Sequence, residues 1–215
     1  MSVSPDKPPV SDPSSSARPS AVAAVVLAAG RSTRMGEINK LTADYGGRAL
    51  VRHAAEAALA SRAGEVVVVT GHQADAVRGV LAGLDLRMID NPDFKAGLST
   101  SVKAGIAAVA PGMTGAVILL GDMPGISPAV IDALIGAFEA AGGDKICQPR
   151  YDGKPGNPIL WPRRLFPAFA ELSGDIGAKP LLKRFNQDIL GVDVGSSAIH
   201  MDIDEPGDLG PNSRA

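Results

Sequence analysis

The stretch VAAVVLAAGRSTRMGEINKL, residues 22–41, decides the fold of this chain. Its first part, from Val22 to Leu27, is continuously apolar, which is typical of a strand covered on both faces in a parallel sheet. Small residues then occupy positions 28–30, where they allow the backbone to approach a ligand closely, and basic residues follow them. The stretch therefore predicts a buried strand that leads directly into a site for phosphate groups.

The basic side chains of this stretch are those of Arg31, Arg34 and Lys40. Two guanidinium groups and one ammonium group can offset the charge that develops when pyrophosphate leaves a nucleotide. A solvated basic loop is the alternative that charge spacing alone leaves open. The stretch is neither of the two common nucleotide loops, because Gly30 and Gly36 are separated by five residues with no lysine after the second, and the chain has no GxGxxG.

Length and composition indicate one globular domain. The chain has 215 residues, of which 45% are hydrophobic and 20% charged, which is enough for one sizeable core and short for two. A net charge of −2 provides no general attraction to nucleic acid or to an anionic membrane, and we expect neither as a partner. The single cysteine excludes an internal disulfide framework, and the three scattered histidines show no metal-ligand spacing.

The two ends of the chain differ in composition from its middle. We expect residues 1–20, rich in Ser and Pro, to be a disordered tail, residues 21–210 to be the folded domain, and residues 211–215 to be a disordered end. The apolar run after Arg18 has some features of a signal peptide, but the charge before it is balanced and cleavage would remove the first strand. No apolar run approaches the roughly 20 residues of a membrane span, so we expect a cytoplasmic protein.

Strand and helix patterns alternate along the domain. Apolar runs predict further strands over 65–70, 86–90 and 115–120, and helical spacing predicts helices over 48–61, 71–84, 99–109 and 127–141. Ser99 and Ser127 are predicted to cap the last two helices, the second of which has Pro128 in its first turn. This alternation predicts an α/β fold with a doubly wound, mostly parallel sheet in a single domain. Ligands bind such sheets beyond the carboxyl ends of the strands.

Two motifs contain aspartates at positions where the rule for ligand binding in α/β sheets predicts a functional site. In GDMP, residues 121–124, Asp122 follows an apolar strand and offers a hard oxygen ligand for a Mg²⁺ ion that bridges nucleotide phosphates. A turn aspartate that caps the next helix is the alternative. In MDIDEPGDL, Asp202 and Asp204 flank Ile203, so they are predicted to point to the same side of a short strand, near a cation. A solvated strand end is nearly as well supported.

Two further motifs lie between these aspartates. In YDGKPGNPIL, residues 151–160, glycines and prolines predict a shaped loop that places Asn157 at the start of a strand, and a binding loop is favoured slightly over a plain hairpin. In GDIGAKPLL, Asp175 is predicted to cap a helix whose first turn binds an anion, with Lys179 adding charge. Helix capping alone explains Asp175 equally well.

The spacing LAAGxSxRMGxxNK resembles the signature of the nucleotidyltransferases that attach a nucleotide to molybdopterin, and most closely that of their cytidylyltransferase branch. Over residues 22–209 it is followed, in the order typical of this family, by VVVTGH, GLSTSV, GDMP, YDGxPGNP, GDIGA and DIDxPxDL. The chain is thus similar to molybdenum cofactor cytidylyltransferases of the MobA-like nucleotidyltransferase family. It departs from their pattern at Glu205 and Gly207, where the last motif usually has TPED.

The resemblance implies a doubly wound α/β fold and a Mg²⁺-dependent transfer of a cytidylyl group from CTP to the terminal phosphate of molybdopterin, with release of pyrophosphate. The catalytic residues that it implies are Arg31, Arg34, Lys40 and Asp122, and the metal ligands are Asp122 and Asp204. The implied nucleotide-binding residues are Leu27, Ala28, Ala29, Gly30, Asn39, Gly71, Ser99, Ser101 and Gly121. The implied residues on the molybdopterin side are Asn157, Asp175 and Asp202. A molybdenum hydroxylase apoenzyme would receive the product.

Three alternatives to this function stay open at this point. The first is a nucleotidyltransferase that uses another base or another phosphorylated acceptor. The second is a non-catalytic carrier that delivers molybdenum cofactor to an apoenzyme. The third is an oxidoreductase on the same scaffold, since some proteins with this fold are similar to nicotine blue oxidoreductase.

Deletion of residues 1–20 should leave the melting temperature and the turnover of the protein almost unchanged, because this segment has too little apolar surface to dock against the domain. The measurement compares thermal denaturation and activity of the truncated and full-length chains. A large loss of either property would show that the segment packs against the domain or closes the site.

Overall fold

The computed structural model describes residues 20–31, 39–203 and 206–209. Within these ranges the strands are β1 (Val22–Ala28), β2 (Asp44–Tyr45), β3 (Arg48–Ala49), β4 (Glu65–Thr70), β5 (Arg87–Asp90), β6 (Gly115–Leu120), β7 (Ile146–Tyr151), β8 (Lys154–Pro155), β9 (Ile159–Pro162) and β10 (Ile189–Asp193). The α-helices of the same ranges are α1 (Leu50–Leu59), α2 (Ala74–Val80), α3 (Leu98–Ala108), α4 (Pro128–Ala140) and α5 (Lys179–Arg184). None of the helices in the described part of the chain is long and apolar enough to cross a membrane.

The main sheet has the strand order β10–β7–β9–β6–β1–β4–β5, and β8 pairs with β7 outside this path. β1 lies in its interior and pairs in parallel with β4 and β6. β9 runs antiparallel to β6 and β7, so the sheet is mixed but mostly parallel. The predicted doubly wound α/β fold is confirmed, and the strands at 65–70 and 115–120 have the predicted bounds.

Both faces of β1 are buried, because successive side chains of a strand point to opposite faces of the sheet. Ala24 and Val26 belong to one apolar cluster, which also contains buried residues of α1, α2 and α4. Val25 and Leu27 belong to a second cluster, formed with α3, α5 and the 3₁₀ helix at Arg163–Glu171. The continuous apolar run of the first strand is therefore explained by two helical layers, one on each side of the sheet.

The helix predicted over 71–84 is much shorter than expected. α2 covers Ala74–Val80, since Gln73 has a left-handed backbone with φ 49° and turns follow the helix. Gly83 adopts φ 82°, which ends any helical continuation. The apolar spacing of this segment was therefore misleading, because it continues through residues whose backbone is not helical.

The two predicted N-caps do not make capping hydrogen bonds with their own side chains. The prediction for Ser99 is wrong, because α3 begins at Leu98 and its N-cap is Gly97. Ser127 does occupy the N-cap position of α4, with Pro128 directly after it, but its hydroxyl makes no capping hydrogen bond. The sequence therefore located both helix starts to within one residue, but it did not identify the groups that accept hydrogen bonds from their first backbone amides.

The structure adds detail to two predictions in the last third of the chain. The turn of the β7–β8 hairpin lies at Asp152 and Gly153, which both have positive φ, so this part of the loop is a hairpin, and its role in binding stays a prediction. Residues 201–203 are not in a strand, although Ile203 is buried as the alternation required. Its backbone N–H donates a hydrogen bond to the carbonyl of Asp122, and this contact takes the place of strand pairing.

Ser20, which composition groups with the tail, is buried in this fold. Its N–H donates to the carbonyl of Arg62 at 2.8 Å, and its Oγ accepts from the N–H of Val22 at 3.2 Å. These bonds fix the entry into β1. Deletion of residues 1–20 also removes these bonds, so deletion of residues 1–19, which retains Ser20, is the variant expected to leave the melting temperature unchanged.

Helix α3 lies so close to the sheet that a Cβ atom at Gly105 would be 2.5 Å from Cγ1 of Val25. A Cβ atom at Gly136 of α4 would meet nothing within 4 Å. Gly105→Ala should therefore lower the free energy of unfolding by about 1–3 kcal/mol through overpacking. Gly136→Ala should raise it by about 0.5–1 kcal/mol through helix propensity. Urea denaturation of both variants measures the difference, and equal effects would show that α3 can move away from β1 at little cost.

Candidate active site

Three parallel strands end at the same edge of the sheet and bring the small residues of the site together. The register pairs Ala28 of β1 with Thr70 of β4, and Leu27 of β1 with Leu120 of β6. Gly71 and Gly121 follow these partners directly, so they flank the end of β1. This edge carries the carboxyl ends of the strands, which is where α/β sheets bind ligands.

Glycine is required at both flanking positions by close packing. A Cβ atom at Gly71 would lie 2.8 Å from Cβ of Ala29, and one at Gly121 would lie 2.9 Å from the carbonyl oxygen of Leu27. The N–H of Gly121 donates to that same oxygen at 3.0 Å. The N–H of His72 donates to the carbonyl of Ala29 at 3.4 Å, which ties the β4 end to the residue after β1.

Lys40 and Asp122, two of the residues implied to be catalytic, form an ion pair at this edge. Nζ of Lys40 donates to Oδ2 of Asp122 at 2.8 Å, although the residues are 82 positions apart. Their side chains are only 10% and 23% exposed, respectively. The stretch at residues 22–41 and the GDMP motif therefore contribute opposite charges to one partly desolvated site.

Asn39 holds the short helix on which Lys40 lies. Its Oδ1 accepts from the N–H of Leu41 at 3.0 Å and caps the 3₁₀ helix Lys40–Thr42. Its Nδ2 donates to the carbonyl of His72 at 3.4 Å, and the residue is buried. Both polar atoms of this amide therefore bind the protein, so the structure gives Asn39 a part in positioning Lys40.

Asp122 has the properties of a metal ligand. Its Oδ1 is buried and has no hydrogen-bond partner among the described residues, while Oδ2 binds Lys40. A buried carboxylate oxygen without a partner is costly, and a hard divalent cation would satisfy it. In the ranges that the structure describes, no three His, Cys, Asp or Glu residues cluster as a metal site. The single unpartnered oxygen of Asp122 fits a divalent cation that takes one or two carboxylates and completes its shell with phosphate oxygens and water.

The remaining residues of the phosphate stretch are placed only in part. Ala28 and Ala29 are buried at the end of β1, whereas Gly30 and Arg31 are exposed. Arg34, implied to be catalytic, lies outside the described residues, and so does Asp204, the implied second metal ligand.

Ser99 and Ser101 lie together in the first turn of α3, and both are buried. Oγ of Ser101 accepts from Nδ2 of Asn91 at 3.0 Å, and the same amide donates to Oγ1 of Thr100 at 2.8 Å. Oγ of Ser99 is buried without a partner within the described ranges. Sequence reasoning missed Asn91, although its position directly after β5, at the same sheet edge, could have indicated a role here.

The residues implied on the molybdopterin side contact different elements of the fold. The N–H of Asn157 donates to the carbonyl of Ile199 at 3.0 Å, in the segment that then reaches Asp122 through Ile203. Asp202, between Ile199 and Asp122 along that path, is exposed.

Asp175 lies elsewhere, against the start of α3, where its Oδ1 accepts from the N–H of Leu98 at 3.2 Å. It was predicted to cap the helix that follows it, but that helix, α5, has Ala178 as its N-cap and only six residues. Asp175 therefore caps α3, through Leu98, which lies 77 positions earlier in the chain.

Cys147 is unsuited to nucleophilic chemistry, because burial raises the pKa of its thiol to about 11. A thiol with such a pKa stays protonated at neutral pH. At the carboxyl edge of the sheet, the Lys40–Asp122 pair supplies charge and the small residues around it leave room for a ligand.

Comparison with known proteins identifies the relatives of this chain. Nicotine blue oxidoreductase of Paenarthrobacter nicotinovorans is 32% identical over 189 residues, which are 85% of this chain and 92% of that protein. The solved structure of a nucleotidyl transferase from Methanothermobacter thermautotroptrophicus has 25% identity and a TM-score of 0.75 over 87% of this chain and 93% of the other. Rv0371c of Mycobacterium tuberculosis H37Rv, solved in complex with manganese, has 28% identity and a TM-score of 0.71 over 87% and 95%.

The family model described as the MobA-like NTP transferase domain matches residues 24–189, which include most of β1, the Lys40–Asp122 pair and the start of α3. These elements are the ones that meet at the carboxyl edge of the sheet. The chain therefore belongs to the MobA-like NTP transferase family.

Proposed function

We propose that this protein transfers a cytidylyl group from CTP to the terminal phosphate of molybdopterin and releases pyrophosphate. The observation that carries nucleotidyl transfer is the Lys40–Asp122 pair at the carboxyl edge of the sheet, with one buried carboxylate oxygen that has no partner among the residues described. The identification of CTP and molybdopterin as the substrates is based on the sequence resemblance. A molybdenum hydroxylase apoenzyme is the recipient that this product implies.

The proposed reaction requires a divalent cation, and Asp122 is the residue that would bind it. Mg²⁺ at this carboxylate would supply positive charge that bridges the phosphates and stabilises the charge that develops on them. The relative solved in complex with manganese supports a divalent ion in this fold. Asp204 is proposed as a second ligand, since Ile203, its neighbour, is hydrogen-bonded to the backbone of Asp122.

The proposed reaction requires little acid–base catalysis by the protein. The acceptor phosphate is already a nucleophile at neutral pH, so that no general base is required, and catalysis consists of positioning and charge stabilisation. Lys40, with Arg31 and Arg34, would stabilise the departing pyrophosphate. Lys40 is paired with Asp122, which would keep its ammonium at the place where the proposed phosphate charge develops.

The choice of cytosine rests on Ala29 and on the resemblance. Related guanylyl-transferring enzymes typically have glycine at this position, and the methyl of Ala29 narrows the site. In the structure Ala29 is buried, and a Cβ at Gly71 would lie 2.8 Å from its methyl. We infer that this methyl would bound the base site on one side, which would favour a pyrimidine over a purine.

Oxidation or reduction of a small molecule is a second candidate, favoured by one observation. Nicotine blue oxidoreductase is 32% identical and is covered over 92% of its length. Oxidation of NAD(P)H without pyrophosphate release would identify this activity. Turnover of any kind separates both enzymes from a non-catalytic carrier.

The most direct test of the proposal is mass spectrometry of the products formed from molybdenum cofactor, Mg²⁺ and each of the four nucleoside triphosphates in turn. We expect a cytidylylated product and pyrophosphate from CTP. Transfer from GTP or ATP instead would leave a nucleotidyltransferase of another base specificity, and product formation from none would exclude the transferase.

Lys40→Ala and Asp122→Ala should each lower turnover by at least about a hundredfold, the scale expected for loss of one electrostatic stabiliser. Arg184→Ala, which breaks the exposed ion pair with Glu171, serves as the matched control and should leave turnover unchanged. Circular dichroism and melting temperature verify that the variants fold. Near-wild-type turnover at saturating Mg²⁺ would exclude these roles, whereas a loss in Asp204→Ala as large as that in Asp122→Ala would favour a second metal position.

With Mg²⁺ present, CTP should raise the melting temperature more than GTP, ATP or UTP at equal concentration. A ligand at about 100 times its dissociation constant adds roughly 2.7 kcal/mol to stability, which a thermal shift detects. Ala29→Gly should move the preference toward GTP, since one methyl typically contributes about 1–3 kcal/mol to discrimination. Asn39→Asp, combined with Ala29→Gly, is expected to increase the preference for GTP further. It also replaces the amide group that donates a hydrogen bond to the carbonyl of His72.

Ala82→Gly, an exposed methyl deletion in the turn after α2, is the control for loss of a methyl and gain of backbone freedom. It should leave the order of the four nucleotides unchanged. Equal stabilisation of the wild-type protein by GTP and CTP would remove the cytidylyl assignment.

A further inference from the structure

The start of α3 is capped by a loop that is remote in sequence. The first N–H groups of a helix have no partner within the helix, and Gly97, the N-cap residue, has no side chain to bind them. The N–H of Leu98 donates to Oδ1 of Asp175 at 3.2 Å, and the N–H of Ser99 donates to the carbonyl of Gly174 at 3.3 Å. A carboxylate at this end also complements the helix dipole.

Steric contact makes this junction specific to its residues. Gly97 has φ 108°, which disfavours any residue with a side chain. A Cβ atom added there would also lie 2.5 Å from the carbonyl carbon and oxygen of Gly174 and 2.7 Å from the N of Asp175. The GLSTSV and GDIGA motifs are therefore in direct backbone contact.

The capped turn carries the serines assigned to the nucleotide. Ser101 is held from the other side by Asn91, at 3.0 Å. Ser99 is 1% exposed, and its Oγ has no protein partner in the described part of the chain. The position of Ser99 therefore depends on its backbone, and two of the bonds that fix this backbone end on residues 174 and 175.

We propose that Asp175 is a positioning residue: it caps α3 across the domain and fixes Ser99 and Ser101 for the nucleotide, without itself touching the acceptor or the metal. Within the described ranges, no hydrogen bond or ion pair joins Asp175 to Lys40 or Asp122. The proposal rests on the proposed function for the identity of the nucleotide. The cap itself is independent of that function.

The test compares Asp175→Ala with Asp175→Asn. Asn keeps an oxygen that can accept from Leu98, whereas Ala removes the acceptor. Loss of a helix cap weakens the capped turn enough to change binding by several-fold to about tenfold. We expect Asp175→Ala to accelerate hydrogen exchange of the Leu98 and Ser99 amides and to raise the dissociation constant of CTP with Mg²⁺ by about that factor. We expect kcat at saturating CTP to change less, and Asp175→Asn to restore most of both properties.

Two more variants sharpen this test. Gly97→Ala, which pushes the loop away by steric contact, should reproduce the effects of Asp175→Ala on exchange and on CTP binding. Asp85→Ala removes an exposed carboxylate in the loop before β5 and should change neither measurement.

The possible results separate this inference from the proposed function. Unchanged amide exchange in Asp175→Ala would overturn the cap, and an Asn variant with wild-type amide exchange but a kcat as low as that of the Ala variant would show that the charge acts in the chemistry instead. Faster exchange with unchanged CTP affinity would overturn the positioning role. Failure of the wild-type protein to bind any nucleoside triphosphate would overturn the proposed function, and the exchange data would then decide the cap alone.

Discussion

Burial of β1 on both faces is the constraint on which the rest of this structure depends. All seven residues of the strand are buried, and its side chains alternate between two apolar clusters. The strand must therefore lie in the interior of the sheet with helices on both sides, and its parallel neighbours β4 and β6 end beside it. Because the chain turns from this strand into small and basic residues, the same constraint that organises the core also sets the location of the site.

The Lys40–Asp122 pair makes that location chemically specific. The two charges are drawn from different parts of the chain and are largely shielded from water. Pairs of this kind contribute little net stability, because desolvation of the charges offsets much of their attraction, while removal of one partner is costly. Function is a better explanation than stability for such a pair, especially when one oxygen of the carboxylate is left without a partner in the described structure. An incoming cation and an anionic nucleotide would together satisfy both groups.

Sequence patterns located the elements well where a single segment determines its own structure. The apolar runs at Glu65–Thr70 and Gly115–Leu120 became strands with the predicted bounds, and GDMP was correctly placed at the carboxyl end of one of them. The failures concern contacts between distant segments. That Asp175 caps α3, or that Asn91 holds Ser101, cannot be deduced from local spacing, because each bond joins residues brought together only by the completed sheet.

The oxidoreductase relative shows what the family assignment does and does not determine. At 32% identity over almost its whole length, that protein shares the scaffold, while its name describes a different class of reaction. A fold fixes where ligands bind, and the side chains at that place fix the chemistry. Hydride transfer needs a bound redox cofactor and an apolar place for the transfer. The charged pair at Lys40 and Asp122 is instead suited to a metal ion and to phosphate charge. The balance of charge at this edge is therefore the physical reason to assign phosphate chemistry to this chain.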